Sequence, residues 1–204
     1  MIGIISYGLG NIKAIQNVYQ KLSHPVKVIK SVDDLIGVNN LILPGVGAFD
    51  YAMEKFNSSG LKDEIIKLVL KDEVPILGIC VGAQMLCSSS DEGDLPGLNW
   101  IDASVKKFQK KNEKVKLQLP HMGWNDVKSV NRSKLFEGMH DEARFYFLHS
   151  YYIDCRKMSQ VSATSEYPNS FVCSVNNKNI YGVQFHPEKS HQFGVKLLDN
   201  FYRL

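Results

Sequence analysis

The chain has 204 residues, a formal net charge of +3 and an ordinary globular composition, which suits one α/β domain spanning 1–204 and gives no reason to expect a nucleic-acid partner. The opening apolar run, Met1 to Ser6, is too short for a signal peptide, and no stretch is long enough to span a bilayer, so no membrane association is expected. The four cysteines, at 80, 87, 155 and 173, show neither C-x-x-C nor zinc spacing and are expected as reduced thiols in a cytoplasmic protein.

In chain order, Ile2 to Ser6 reads as a buried strand. Tyr7-Gly8-Leu9-Gly10-Asn11 then turns into a helix carrying Ile12, Ile15, Val18, Tyr19 and Leu22 at helical spacing. The turn is not a dinucleotide fingerprint, because Lys13 stands where the third glycine of G-x-G-x-x-G belongs. Pro25 breaks the chain, Val26 to Lys30 forms a second strand, and Asp33-Asp34 lies in a short polar connection. Leu41 to Leu43 is a third strand ending at Pro44-Gly45-Val46-Gly47, which is either a plain turn or a glycine-rich backbone able to aim an N–H at an oxyanion. Ala48 to Phe56 and Leu61 to Asp72 read as helices, the second with Leu61, Ile65, Leu68 and Val69 as its core stripe.

Pro75 to Gln84 is the stretch on which the chain turns. A short apolar strand runs into Gly78-Ile79-Cys80-Val81-Gly82, with a glycine two residues on either side of the cysteine. That is the pattern of a nucleophile elbow with sulfur in place of the hydroxyl, although a cysteine at a strand end is also commonly just core. Ser88 to Trp100 is a polar loop. The period then changes to two: Val105 to Phe108 and Lys114 to Leu119 read as a hairpin around Lys110 to Glu113. Its six lysines suit a solvated face or docking to an acidic partner. Pro120 to Asn125 holds Trp124, which beside Gly and Met suits simple core. Arg144 to Leu148 is a strand ending at His149-Ser150-Tyr151, followed by strands at Val161 to Glu166, Phe171 to Val175 and Ile180 to Phe185. Gln192 to Tyr202 closes the chain as a helix with Phe193, Leu197, Leu198 and Phe201 inward. A thiol nucleophile needs a base, and the base needs an orienting group; His186 and Glu188, after the last strand, suit those roles. The expected fold is a mixed, mostly parallel sheet flanked by helices, flavodoxin-like in architecture, with the site at the carboxyl ends of the strands.

Gly78 to Gln84 together with Phe185-His186-Pro187-Glu188 resembles the class I (triad) glutamine amidotransferases. Pro44 to Gly47, Pro120-His121-Met122-Gly123-Trp124-Asn125 and His149 to Tyr152 narrow the resemblance to the glutaminase subunits of imidazole glycerol phosphate synthases, nearly end to end. The resemblance implies L-glutamine as substrate, Cys80 as nucleophile, His186 as base and Glu188 as its orienting group. The Val46 and Val81 amides would hold the oxyanion, with the Gly45–Val46 peptide free to flip. Gly47, Gln84, His149, Ser150 and Tyr151 would bind glutamine. No metal or organic cofactor is implied. The partner would be a separate cyclase subunit built as a (β/α)8 barrel and receiving ammonia through a dry channel, with Trp124, Lys189 and the Tyr7 to Asn11 turn near the interface. Ser6, Ala83 and His191 depart from the expected pattern and leave open a related subunit feeding another acceptor, such as a surface-sugar amidotransferase. A non-catalytic scaffold and a γ-glutamyl hydrolase are the remaining alternatives.

Overall fold

The computed structural model describes residues 1–109, 117–140 and 143–204. The chain opens with β1 (Ile2–Ile5), α1 (Ile12–Lys21), β2 (Val26–Ile29), β3 (Asn40–Gly45), α2 (Phe49–Asn57), α3 (Lys62–Leu70), β4 (Ile76–Cys80) and α4 (Val81–Met85). It continues with β5 (Ala103–Lys107), β6 (His121–Asp126), β7 (Lys128–Ser129), β8 (Arg144–His149), β9 (Tyr151–Cys155), β10 (Val161–Glu166), β11 (Ser170–Asn177), β12 (Ile180–Val183) and α5 (His191–Tyr202).

One ten-stranded sheet runs β2-β1-β3-β4-β12-β11-β10-β7, with β5 and β9 branching from β11. The pairs joining β2, β1, β3, β4 and β12 are parallel, and those beyond β12 are antiparallel. Strands covered on both faces need apolar side chains on both, and every residue of β1, β3, β4 and β12 is buried. α1 turns Ile15 and Tyr19 inward, and α5 does the same with Leu197, Leu198 and Phe201. Phe193 is only partly buried, with Gly194 and Asn200 buried in addition.

The parallel half follows the sequence pattern. β3 extends past Leu43 to Gly45, in register with β4 as Pro44↔Ile79 and Gly45↔Cys80. Pro44 lacks an N–H, but its carbonyl accepts a 2.6 Å hydrogen bond from the Tyr7 hydroxyl, which pins the strand end. The expected connection at Asp33-Asp34 is a single 3-10 turn.

The hairpin expected over 105–119 falls in part on residues that are not described. Its tip and half of its second arm, 110–116, lie outside the described residues, and Leu117 to Leu119 is not in a strand. β5 pairs antiparallel with β9, from Ala103↔Cys155 to Lys107↔Tyr151. The hexapeptide region is itself a strand, β6, and with β8 it forms a separate two-stranded ribbon.

Candidate active site

Cys80 is the last residue of β4 and the residue that caps α4, with φ 56° and ψ −115°. A positive φ at a non-glycine residue is strained and persists only where the surroundings enforce it. Here the enforcement is glycine. A Cβ on Gly82 would overlap the Leu43 carbonyl oxygen, and one on Gly45 would overlap the Gly82 amide nitrogen. One on Gly78 would lie 2.6 Å from the Gly82 carbonyl oxygen. All three obstacles are backbone, so no rotamer change relieves them. The glycines let β3, β4 and α4 press together until the sulfur stands above the strand ends. Ala83, one of the departures from the expected pattern, is fully buried in this packing against Gly182.

His186 follows β12, the parallel neighbour of β4, and so arrives beside Cys80. Its Nδ1 lies 2.9 Å from Glu188 Oε1, with the two side chains 4% and 1% exposed. That contact leaves Nε2 free of Glu188, and His186 lines the same cavity as Cys80. Burial works to lower the imidazole pKa, but the pull of Cys80 and Glu188 prevails and holds it up at about 10. Asn11 caps α1 by position, yet its side chain makes no capping bond; its Nδ2 donates to Glu188 Oε1 at 3.2 Å. The Tyr7 to Asn11 turn thus touches both Pro44 and Glu188.

A cavity of about 260 Å³ opens over the sulfur. Val46 and Gly47 line it together with Cys80, Val81 and Gln84, with His149, Ser150 and Tyr151, and with His186 and Lys189. Glu188 stands behind His186 and off the lining. Gln84 donates from Nε2 to Gln184 Oε1 at 3.0 Å and to the Tyr151 carbonyl at 3.4 Å. His149 Nδ1 lies 2.7 Å from the same carbonyl, and His149 Nε2 lies 3.0 Å from His121 Nδ1. Because a carbonyl only accepts, His149 carries its proton on Nδ1, and His121 must donate to it. Burial lowers His149 to about 3 and His121 to about 4, so the pair is neutral at ordinary pH.

Trp124 is not on this cavity. It is 40% exposed on the outer face of the ribbon, and its ring stacks on His191 with centroids 5.0 Å apart and an interplanar angle of 5°. Met122 and Leu148 are exposed beside it, paired across the ribbon. Lys189, on the cavity edge, also places its ammonium 5.6 Å from the Tyr146 ring centre.

Glu92, Gln184 and, in its contact with Glu188, Asn11 are site residues that the sequence reading missed. Glu92 lines the cavity and accepts a 2.9 Å hydrogen bond from the Phe49 amide at the start of α2. It is one acidic residue in a polar loop, with no local signal. Gln184, a polar residue inside the apolar Tyr181 to Phe185 run, does carry one. All four cysteines are free. Among the described residues no group of three or more His, Cys, Asp or Glu is placed to hold a metal, and no helix is long and apolar enough to cross a membrane.

The model of the class-I glutamine amidotransferase family matches residues 4–204. The chain is 53% identical over 201 residues to the imidazole glycerol phosphate synthase subunit HisH of Bdellovibrio bacteriovorus, covering 98% of each chain. It is 47% identical to the subunit of the same name from Leptospira borgpetersenii, over the whole of both chains. Among solved structures, a putative GMP synthase subunit from Thermoplasma acidophilum aligns with a TM-score of 0.69 at 25% identity, covering 98% of this chain and 90% of that one. PurLQS from Thermotoga maritima aligns with a TM-score of 0.73 over 99% and 97%, and at 16% identity it speaks for the fold alone. An elbow cysteine, a histidine and glutamate beside it, and these matches along almost all of its length lead to one conclusion: the chain belongs to the class-I glutamine amidotransferase family.

Proposed function

We propose that the chain, as one amidotransferase domain over 1–204, is the glutaminase subunit of an imidazole glycerol phosphate synthase. It would work in the cytoplasm, in histidine biosynthesis. The substrate is L-glutamine and the products are glutamate and ammonia. His186 takes the Cys80 proton as the sulfur bonds to the carboxamide carbon and the carbonyl electrons move to oxygen. The Val81 and Val46 amides hold that oxyanion. The intermediate collapses, the C–N bond breaks, and His186 returns the proton to the departing amine. Water, deprotonated by His186, then cleaves the glutamyl thioester. Glu188 keeps the imidazole in its working tautomer.

At the amino-acid end, Gln84 and the His149 to Tyr151 backbone bind the substrate beside Gly47. Glu92, the only acidic side chain among the described residues lining the cavity, suits the α-ammonium group. Ammonia is mostly protonated in neutral water and then a poor nucleophile. A glutaminase of this kind therefore delivers it directly to a docked (β/α)8 cyclase subunit, which makes imidazole glycerol phosphate and AICAR. The outer face of the ribbon, with Trp124 and Lys189 near it, is the docking side.

The observation that carries the reading is His186 paired with Glu188 at 2.9 Å on the lining of a cavity of amino-acid size that also holds Cys80. Two assays test it. The gene should restore histidine-independent growth to a strain lacking this subunit; failure with a folded, expressed chain would remove the pathway assignment. Glutamate release should be weak for the chain alone and rise steeply with a liganded partner, whereas equal turnover in both would remove the gating by the oxyanion loop.

A further inference from the structure

Gln184 lies one residue past β12, fully buried, and the reaction steps as written give its side chain no task. Its Nε2 lies 3.8 Å from Cys80 Sγ, within the longer reach of a sulfur acceptor, and its Oε1 accepts from Gln84 Nε2 at 3.0 Å. The orientation of both amides follows from chemistry. The Tyr151 carbonyl can only accept, so the Gln84 atom facing it is nitrogen. That nitrogen also faces Gln184, so the Gln184 atom meeting it is oxygen, and the Gln184 nitrogen is left facing the sulfur. Reversing Gln184 would set two donors against each other in a buried site and cost both hydrogen bonds.

The sulfur has a different partner for each protonation state. As a thiol it can donate to the Leu148 carbonyl, 4.0 Å away. As a thiolate it gains nothing from a carbonyl and takes up a donor, the side-chain amide of Gln184. The thiolate appears twice in the reaction, when Cys80 attacks and when the thioester breaks. Gln184 is the only side-chain amide of the described residues that bonds the sulfur.

We propose that Gln184 is a further catalytic residue: its side-chain N–H stabilises the Cys80 thiolate, and its carbonyl ties that donor to Gln84 at the amino-acid end of the substrate. The proposal rests on Cys80 being the nucleophile. The chain Tyr151 O, Gln84, Gln184, Cys80 Sγ then sets the spacing between the part of the site that holds glutamine and the atom that attacks it.

The test is the rate of Cys80 alkylation by iodoacetamide against pH, read by peptide mass spectrometry on the full chain. The variants are Gln184→Met, of similar volume with no donor, and Gln184→Glu, of the same shape with an oxygen toward the sulfur. Thermal unfolding checks the fold. At neutral pH the Gln184→Met rate should fall about tenfold, the size expected of one charge-assisted hydrogen bond, with the pH profile displaced to the alkaline side. Gln184→Glu should fall further. A merely structural role would leave the profile of a folded variant in place, and that result overturns the proposal. If either variant fails to fold, Gln84→Met, which releases the Gln184 carbonyl, should show a smaller displacement of the same sign, and an unmoved profile there overturns it equally. Wild-type chain treated with a glutamine-analogue electrophile separates the two readings. Selective modification of Cys80 there with unmoved variant profiles defeats Gln184 alone; no selective modification defeats the glutaminase reading beneath it.

Discussion

The elbow and the β6–β8 ribbon meet at the same cavity and are built in opposite ways. At the elbow, three glycines bring backbone onto backbone and leave no room for a Cβ at any of them. In the ribbon, Met122, Trp124 and Leu148 stand out in solvent, and the polar rings of His121 and His149 are turned in. Close packing suits a nucleophile, whose attack depends on tenths of an ångström. An apolar exposed strand suits a surface completed by another chain. The site therefore joins a close-packed half that carries Cys80 to an open half with exposed apolar side chains.

The largest expected effect lies on the close-packed side. Cys80→Ala should lower glutamate release by on the order of 10⁴-fold or more, measured in the partnered enzyme, while thermal unfolding changes little. Glu188→Gln should lower turnover by about 10²–10³-fold, since the imidazole loses its orienting charge. It also has a pH signature. Against burial, Cys80 and Glu188 hold His186 at about 10 rather than 6.5. A raised pKa adds stability that is fully present below the unfolded value and lost as pH rises through the folded one. The stability gap between wild type and Glu188→Gln should therefore be widest near about pH 6 and close toward about pH 10, in denaturant titrations across that range.

Gly82→Ala asks whether the elbow is as unyielding as its contacts indicate. The added methyl overlaps the Leu43 carbonyl oxygen, and the expected loss is about 3 kcal/mol of folding stability. A near-neutral result would mean that β3 and α4 can separate, and the contrast between the two regions would weaken. Trp124→Ala probes the ribbon. Binding of the cyclase subunit should weaken by about 2 kcal/mol, read by titration calorimetry, with the chain's own stability nearly unchanged. The smallest effect is an expected absence: with His121 near 4 and His149 near 3, their imidazole nitrogen resonances should stay in the neutral form between about pH 9 and pH 5.5.

The same contrast explains what could be read from the sequence. The elbow was legible because close backbone approach leaves no alternative to glycine, and because apolar runs between breakers suffice to mark parallel strands. Cys80, His186 and Glu188 come together for that reason: Cys80 ends β4, and the other two follow the carboxyl end of β12, its parallel neighbour. β6 was not legible because it reverses the usual alternation, with His121 inward and Met122 and Trp124 outward, and Gly123 at φ +129° interrupts the pattern. The pairing of β5 with β9 was not legible either, because it joins strands about fifty residues apart and is set by tertiary packing. Glu92 and Asn11 were invisible for a different reason. One lies in an irregular loop and the other looks like an ordinary helix cap, and only the folded chain shows their side chains serving the site.

The central claim is that Cys80 forms a covalent bond with glutamine. The most direct measurement is mass spectrometry of the partnered enzyme, acid-quenched during turnover. A glutamyl thioester on Cys80, absent from Cys87, Cys155 and Cys173, is the predicted result. Glutamate accumulating while Cys80 stays unmodified, in a variant such as His186→Ala made to slow thioester hydrolysis as well as in wild type, would contradict it.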